Sequence, residues 1–288
     1  MLTHPVLLPD GTLVDIREDG KLGLLTRDES LVVDVDALPD ARILSDEAGR
    51  LMFLSRPTTQ YPHGVLGDAI EAEGITWVDT RFHPIISKEI LIPEGDVIEG
   101  IAPIWVDMDG DGSREIIVTQ SNPQEGARIV IYREDGSVFA ESRSIGQGFR
   151  WTHLIAVGQF IEGGPREVAT VRTPHIGGVL EIYGLEGNQL VIQAELGGYS
   201  SHQIGSRNLD GAVVVDLDGD GQFEIIIPDQ EQTSVAAIQL VDGHLHEAWI
   251  EALQGKINTN IAASELPGGG FALGLGLAEG ILQIWFYR

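Results

Sequence analysis

The chain has 288 residues and a net charge of −26, with 44 acidic against 18 basic side chains. Such an acidic surface repels phosphate backbones and anionic lipid headgroups, which disfavours nucleic-acid binding and membrane adsorption. No cysteine is present, which excludes disulfides, thiolate chemistry and cysteine-based zinc sites. With 43% hydrophobic residues the chain can bury a core, and its length suits one large all-β domain or two ordinary ones.

Six segments along the chain share one pattern: an apolar strand, a turn rich in glycine and acidic residues, and a second apolar strand. They are residues 14–25, 45–53, 106–118, 157–169, 215–227 and 265–273. The first keeps Asp15, Asp19 and Gly20 but has Arg17 where a carboxylate would stand. The second is the weakest copy, and the fourth has the same frame with the loop carboxylates lost. The third and fifth are nearly identical, VDMDGDGSREIIV and VDLDGDGQFEIII.

The two clear copies place carboxylates at alternate positions of a turn, which suits Ca²⁺ because this cation takes 6–8 oxygen ligands. A helical calcium loop carries its glutamate at the twelfth position. Val118 and Ile227 occupy that position here, between β-branched flanks. The sequence therefore predicts two calcium sites between strands. The predicted side-chain ligands are Asp107, Asp109, Asp111 and Glu115 in one loop, and Asp216, Asp218, Asp220 and Glu224 in the other.

These loops resemble the FG-GAP or VCBS repeats, the calcium-binding units of β-propellers like that of integrin α. In that family the loop joins the innermost strand of a blade to the second strand. The resemblance implies that Ser113 and Gln222 add backbone carbonyl ligands. A cation that bridges the hairpin would stabilise the blade, so its expected role is structural. The ninth loop residue is glutamate here, whereas another version of the repeat has aspartate.

The repeats predict an all-β fold over residues 1–288, a single-domain β-propeller of about six four-stranded blades. Six repeats in 288 residues average 48 residues each, close to the roughly 40–50 of a propeller blade. Uneven spacing and an extra loop at residues 57–74 leave five or seven blades open. A strand around residues 5–8 is expected to complete the last blade and close the ring. Residues 271–285 are predicted to form two strands, not a membrane span.

Four histidines lie in connections that leave a propeller on the face opposite the calcium loops. His153 and His202 precede innermost strands, whereas His63 and His175 lie between second and third strands. A Trp-x-His ahead of the loop strand also resembles sugar-active members of the wider family. The predicted ligand-binding residues are His63, Arg150, Trp151, His153, His175, His202 and Arg207.

The leading hypothesis is a calcium-stabilised binding module for a carbohydrate, protein or small-molecule ligand on that face. The alternative is an enzyme, such as a sugar lyase, an isomerase or a small-molecule cyclase, with His153, His175 and His202 as general acid and base. A third is a structural module of a larger secreted protein. Neither nucleic-acid binding nor membrane insertion is expected. The N-terminus has no signal-peptide pattern, so we expect a secreted or periplasmic protein if a signal was trimmed and a cytoplasmic one otherwise.

Overall fold

The computed structural model describes residues 3–82, 84–217, 219–267 and 269–287. Within these ranges the chain forms 24 β-strands and no helix, which confirms the all-β prediction. Accordingly, these ranges contain no helix that is long and apolar enough to cross a membrane.

The chain divides into two compact units. The first comprises the residues up to Trp105 together with 114–139 and 144–149, and the second comprises 106–113, 140–143 and the residues from Arg150 onward. The first unit packs around one large apolar cluster, which includes Leu51, Phe53 and Ile116. The second unit packs around two smaller clusters.

The first unit contains successive groups of antiparallel strands, each strand paired with the next one in the chain. The first group is β1 (Val6–Leu7), β2 (Leu13–Ile16), β3 (Leu22–Leu25) and β4 (Ser30–Val33). The second is β5 (Leu44–Ser45), β6 (Arg50–Thr58), β7 (Glu71–Asp79) and β8 (Ile86–Leu91). A short strand, β9 (Val97–Ile98), pairs with both β7 and β11. The third group contains β10 (Ile104–Val106), β11 (Glu115–Asn122) and β12 (Gly126–Arg133), and β13 (Val138–Ser142) follows in the chain. Val106 of β10 and residues 140–142 of β13 belong to the second unit.

The second unit repeats the arrangement with three further groups. The first is β14 (Thr152–Gly158), β15 (Glu167–Arg172), β16 (Val179–Glu186) and β17 (Gln189–Gly197). The next is β18 (Val213–Val215), β19 (Glu224–Pro228), β20 (Ser234–Val241) and β21 (His244–Ala252). The last, within the described residues, is β22 (Ala262–Glu265), β23 (Phe271–Gly276) and β24 (Leu282–Tyr287). The prediction of two strands over residues 271–285 is confirmed by β23 and β24.

Runs of β-branched residues explain the central strands. β11 places Ile117 opposite Ile131 of β12 and Val118 opposite Val130, and all four side chains are buried. Branched side chains pack well on the pleated surface of a sheet. Burying one such side chain contributes about 1.5–3 kcal/mol, which is why these strands form the centre of their group.

The N-terminal strand departs from the sequence prediction. β1 pairs with β2 through Val6 and Val14, so it belongs to the first group and does not complete the last one. Because β1 takes the first place there, the turn that contains Arg17 joins the second strand to the third. The other five predicted turns join the first strand of a group to the second, as expected.

Candidate functional site

The two predicted calcium loops have matching backbone geometry. Asp107 accepts hydrogen bonds from the amides of Gly110 and Gly112, at 2.7 and 3.1 Å. Asp216 accepts the same pair of bonds from Gly219 and Gly221, at 2.7 and 3.0 Å. The first carboxylate of each loop therefore holds the turn in shape.

The glycines of both loops adopt the left-handed conformation. Their φ angles are 79° at Gly110 and Gly219 and 90° at Gly112 and Gly221. Residues with a Cβ rarely adopt this conformation. The Gly-x-Gly spacing is therefore a backbone requirement of the turn, in addition to anything it contributes to ligand binding.

The glutamate that ends the second calcium loop also has a structural role. Glu224 accepts bonds from the Leu217 amide at 2.7 Å and from Nε2 of Gln239 at 2.9 Å. Glu167, at the same place in a loop that lacks the aspartates, accepts a bond from the Phe160 amide at 2.9 Å. The glutamate thus ties the loop backbone to the sheet even where no cation is expected, and burial raises the pKa of Glu167.

The donor set of the first loop fits a hard cation. Asp107, Asp109 and Glu115 each offer a carboxylate oxygen, and these oxygens lie within 4.8 Å of one another. Three carboxylates this close repel each other unless a cation or a proton lies between them. Asp111 accepts a bond from the Ser113 amide, as Asp220 does from Gln222 in the second loop. Asp218 lies outside the described residues.

Three of the four predicted histidines converge in the second unit around Trp151. The rings of His153 and His175 are stacked on the indole with centroid distances of 4.8 and 6.0 Å, and that of His202 meets it edge-on at 5.0 Å. Trp151 and His202 are each 3% exposed. His153 is the second residue of β14 itself, where we had expected it to precede the strand. The indole is therefore enclosed by imidazoles.

Hydrogen bonds set the tautomer of His202. Its Nε2 lies 2.8 Å from the carbonyl oxygen of Ser206, which can only accept, so Nε2 carries the proton. Its Nδ1 must then accept the bond from Nε2 of His175 at 2.8 Å. Burial lowers the pKa of His202, which keeps this imidazole neutral. The bond connects the loop between β15 and β16 to the loop between β17 and β18.

This cluster contains imidazoles that already have protein partners. Both ring nitrogens of His202 are engaged, and Nδ1 of His153 lies 2.7 Å from Oγ of Ser201. Among the described residues, the carboxylate trio of the first loop is the one set of three or more ligating side chains within 4.8 Å. The cluster therefore supports the loops around it.

The two arginines that were predicted to bind the ligand differ in exposure: Arg150 is exposed and Arg207 is half-buried.

A cleft of about 220 Å³ lies beside His202. The loop from Ser201 to Gly211 forms one wall, and Gln232 together with residues 257–259 forms another. Apart from His202, none of the described side chains that line the cleft is titratable. Within the described residues, the amide groups of Asn208 and Asn258 have no hydrogen-bond partner, and both residues are exposed. The cleft offers uncharged donors and acceptors to a small ligand.

His63, the fourth histidine, lies in the first unit among other partners. Its Nδ1 lies 2.5 Å from Oε1 of Glu99, and Oε2 of Glu99 accepts a hydrogen bond from Oγ of Ser121. Phe149 stacks on the imidazole with a centroid distance of 5.3 Å. Tyr61 meets the imidazole edge-on at 6.0 Å.

A second buried carboxyl belongs to the same region. Glu71 is 2% exposed and, within the described residues, its Oε2 has no hydrogen-bond partner. Burial, reinforced by the charges of Glu99, Asp68 and Asp40, raises the pKa of Glu71 to about 9. The Glu71 carboxyl is therefore protonated at neutral pH. Burial and the charges of Glu99 and Glu71 also raise the pKa of Tyr61.

Sequence reasoning missed Glu99, Ser121 and Glu71 as members of a site. One signal was present: Glu99 is an acidic residue that directly follows the apolar pair Val97 and Ile98. A charged residue in such a position is rarely buried without a partner. The cleft residues Asn208 and Asn258 had no comparable signal, because they lie on separate loops.

Comparisons with known proteins inform the fold. No protein-family model matches the sequence, and no curated protein matches it significantly. Among solved structures, the match to BBS1N in complex with ARL6DN has 15% sequence identity and a TM-score of 0.52. It covers 98% of this chain and 78% of the BBS1N chain. The match to a putative 6-phosphogluconolactonase from Bacteroides fragilis has 11% sequence identity and a TM-score of 0.52. It covers 99% of this chain and 79% of the lactonase chain.

The exotype rhamnogalacturonan lyase YesX is 14% identical, with a TM-score of 0.47. The match covers 92% of this chain and 54% of the lyase, so the chain spans about half the length of that enzyme. The two solved structures that match with a TM-score of 0.52 have propeller-type folds. This chain therefore has an all-β, propeller-type fold.

Proposed function

We propose that the protein is a calcium-stabilised β-propeller that binds an uncharged carbohydrate in the cleft beside His202. The lining of this cleft carries the proposal. The chain has a net charge of −26, yet the described residues that line the cleft include no carboxylate. They present amides, hydroxyls, backbone groups, the imidazole of His202 and two isoleucine side chains. Hydroxyl-rich, neutral ligands match such a surface because each hydroxyl both donates and accepts.

The volume of the cleft favours a small ligand. At about 220 Å³ it is below the roughly 300–1,000 Å³ typical of sites for drug-sized molecules. One residue of a glycan suits this space, with the rest of the chain in solvent. The histidine cluster supports the site by holding the loop from Ser201 to Ser206 in place through His202.

Removing the two unpartnered amides should weaken glycan binding. We expect an Asn208→Ala/Asn258→Ala double variant to bind a neutral saccharide about tenfold more weakly, because two hydrogen bonds contribute about 1–3 kcal/mol together. Isothermal titration with a panel of neutral and uronic saccharides measures this. Asn188→Ala, in the exposed turn between β16 and β17, is the matched control. Binding that is unchanged in the double variant would contradict the cleft as the site.

We further propose that the six strand groups are six blades of a propeller. The first and last groups each have an exposed apolar face that a neighbouring blade would cover. Leu7, Leu13 and Leu25 share one face of the first group. On β24, Leu282, Ile284 and Phe286 alternate along the strand and are all exposed. Contiguous exposed apolar faces of this kind mark surfaces that become buried.

The calcium proposal depends on the shared geometry of the two loops and on the carboxylate trio of the first. The metal would be held by the aspartates, whose backbone bonds already shape the turn. Its place between the first two strands of a group supports a structural role. A catalytic role for the three histidines around Trp151 is not proposed, because their imidazoles are engaged with Ser201, Ser206 and one another.

A further inference from the structure

We propose that His63 is the general base of a hydrolytic site for uncharged esters, with Glu99 as its positioning residue. This site lies in the first unit, in the loop between β6 and β7 and the chain around β9. It is independent of the carbohydrate cleft proposed above, whose residues all belong to the second unit.

The geometry of the imidazole carries the proposal. Oε1 of Glu99 accepts the hydrogen bond from Nδ1 of His63, so Nδ1 carries the proton and the Nε2 lone pair is available. Within the described residues, Nε2 of His63 has no hydrogen-bond partner. The His63 side chain is 15% exposed, whereas that of Glu99 is fully buried. A buried carboxylate on one nitrogen and an accessible lone pair on the other is the arrangement that activates water in hydrolases.

Glu99 is itself held in place. Its second oxygen accepts the hydroxyl proton of Ser121, a fully buried residue of β11. Phe149 stacked on the ring and Tyr61 at its edge restrict rotation of the imidazole. The dyad is therefore preorganised by contacts from separate strands and loops, which is the condition for efficient general-base catalysis.

The surroundings indicate the class of substrate. The Glu99 carboxyl lies 2.5 Å from Nδ1 of His63, and the chain has a net charge of −26, so an anionic substrate would be repelled. Phe149, whose ring stacks on the imidazole, is 52% exposed and offers apolar surface beside His63. An uncharged ester with an aryl or alkyl group satisfies both conditions.

The chemical step conserves atoms and charge. Nε2 of His63 removes a proton from water as the water oxygen forms a bond to the ester carbonyl carbon. The bond from that carbon to the leaving oxygen then breaks. The proton on Nε2 passes to the leaving alkoxide, which gives a carboxylic acid and an alcohol and returns His63 to its starting state.

The experiment measures hydrolysis of 4-nitrophenyl acetate by the full chain. We expect His63→Gln to lower kcat/KM by about 100-fold, within the range for loss of a general base. Glu99→Gln keeps an acceptor for Nδ1–H but loses the charge. It should therefore lower kcat/KM and move the acid limb of its pH profile to lower pH. An anionic ester, 4-nitrophenyl hydrogen succinate, should react at least tenfold more slowly than the acetate.

Controls separate the dyad from nonspecific imidazole reactivity and from misfolding. His244→Gln, at an exposed histidine of β21, should leave the rate unchanged. In the wild-type chain, ¹⁵N NMR should show the proton of His63 on Nδ1, which tests the arrangement without any substitution. A rate in His63→Gln within twofold of wild type, a proton on Nε2, or an accumulating acyl-imidazole would each overturn the proposal.

Discussion

Calcium is expected to raise the melting temperature, and chelation to lower it, by about 5–10 °C per occupied site. A ligand that binds only the folded state adds about 2.7 kcal/mol at a hundredfold excess over its Kd. For a chain of this size each kcal/mol shifts the melting temperature by about 2–4 °C. Thermal melts in Ca²⁺ and in EDTA measure the effect directly.

Substitutions locate the calcium response. Asp107→Asn and Asp216→Asn each keep an oxygen that can accept from the loop amides but remove the charge, so each should abolish about half of the response. Asp19→Asn is the matched control, because the first turn carries Arg17 beside Asp19. A melt that ignores both Ca²⁺ and EDTA, or a double variant that still responds, would rule out these loops as the metal sites.

Glu71→Gln is expected to remove a large pH dependence of stability. The pKa of Glu71 is raised from 4.5 to about 9 in the folded state, so the folded chain keeps a proton that the unfolded chain releases above pH 4.5. Stability from this group is fully present below about pH 4.5 and is lost as the pH rises towards 9. The slope is up to about 1.4 kcal/mol per pH unit.

Urea unfolding between pH 5 and 9 measures this difference. Glutamine imitates the protonated carboxyl, so the variant should match wild type near pH 5 and exceed it by about 2–4 kcal/mol at pH 8. The pH dependence of stability that comes from the buried, neutral His202 has the opposite sign. Burial lowers the pKa of His202, so the stability that it contributes is lost as the pH falls below 6.5. Comparing variant with wild type cancels that contribution. Glu73→Gln, two residues along β7, is the control, and equal slopes for wild type and Glu71→Gln would contradict the prediction.

Strands and turns were predictable because their causes are local. Alternating or continuous β-branched residues produce β11, β12 and β19, and the Gly-x-Gly spacing produces turns with left-handed glycines. The turn residues lie within nine positions of one another, so spacing alone places them together. The place of β1 was not predictable in this way, since its two residues fit either the first or the last group, and pairing with Val14 decides between them.

The functional side chains show the limit of such local reasoning. The sequence by itself determined the two acidic loops and put His175 and His202 in connecting loops. Only the tertiary structure decided their partners, because His202 and His175 lie 27 residues apart and His63 and Glu99 lie 36 apart. Which imidazole nitrogen carries a proton depends on the atom that lies opposite it in the folded chain. A carboxylate faces His63 and a carbonyl faces His202, so these two loop histidines have different chemistry.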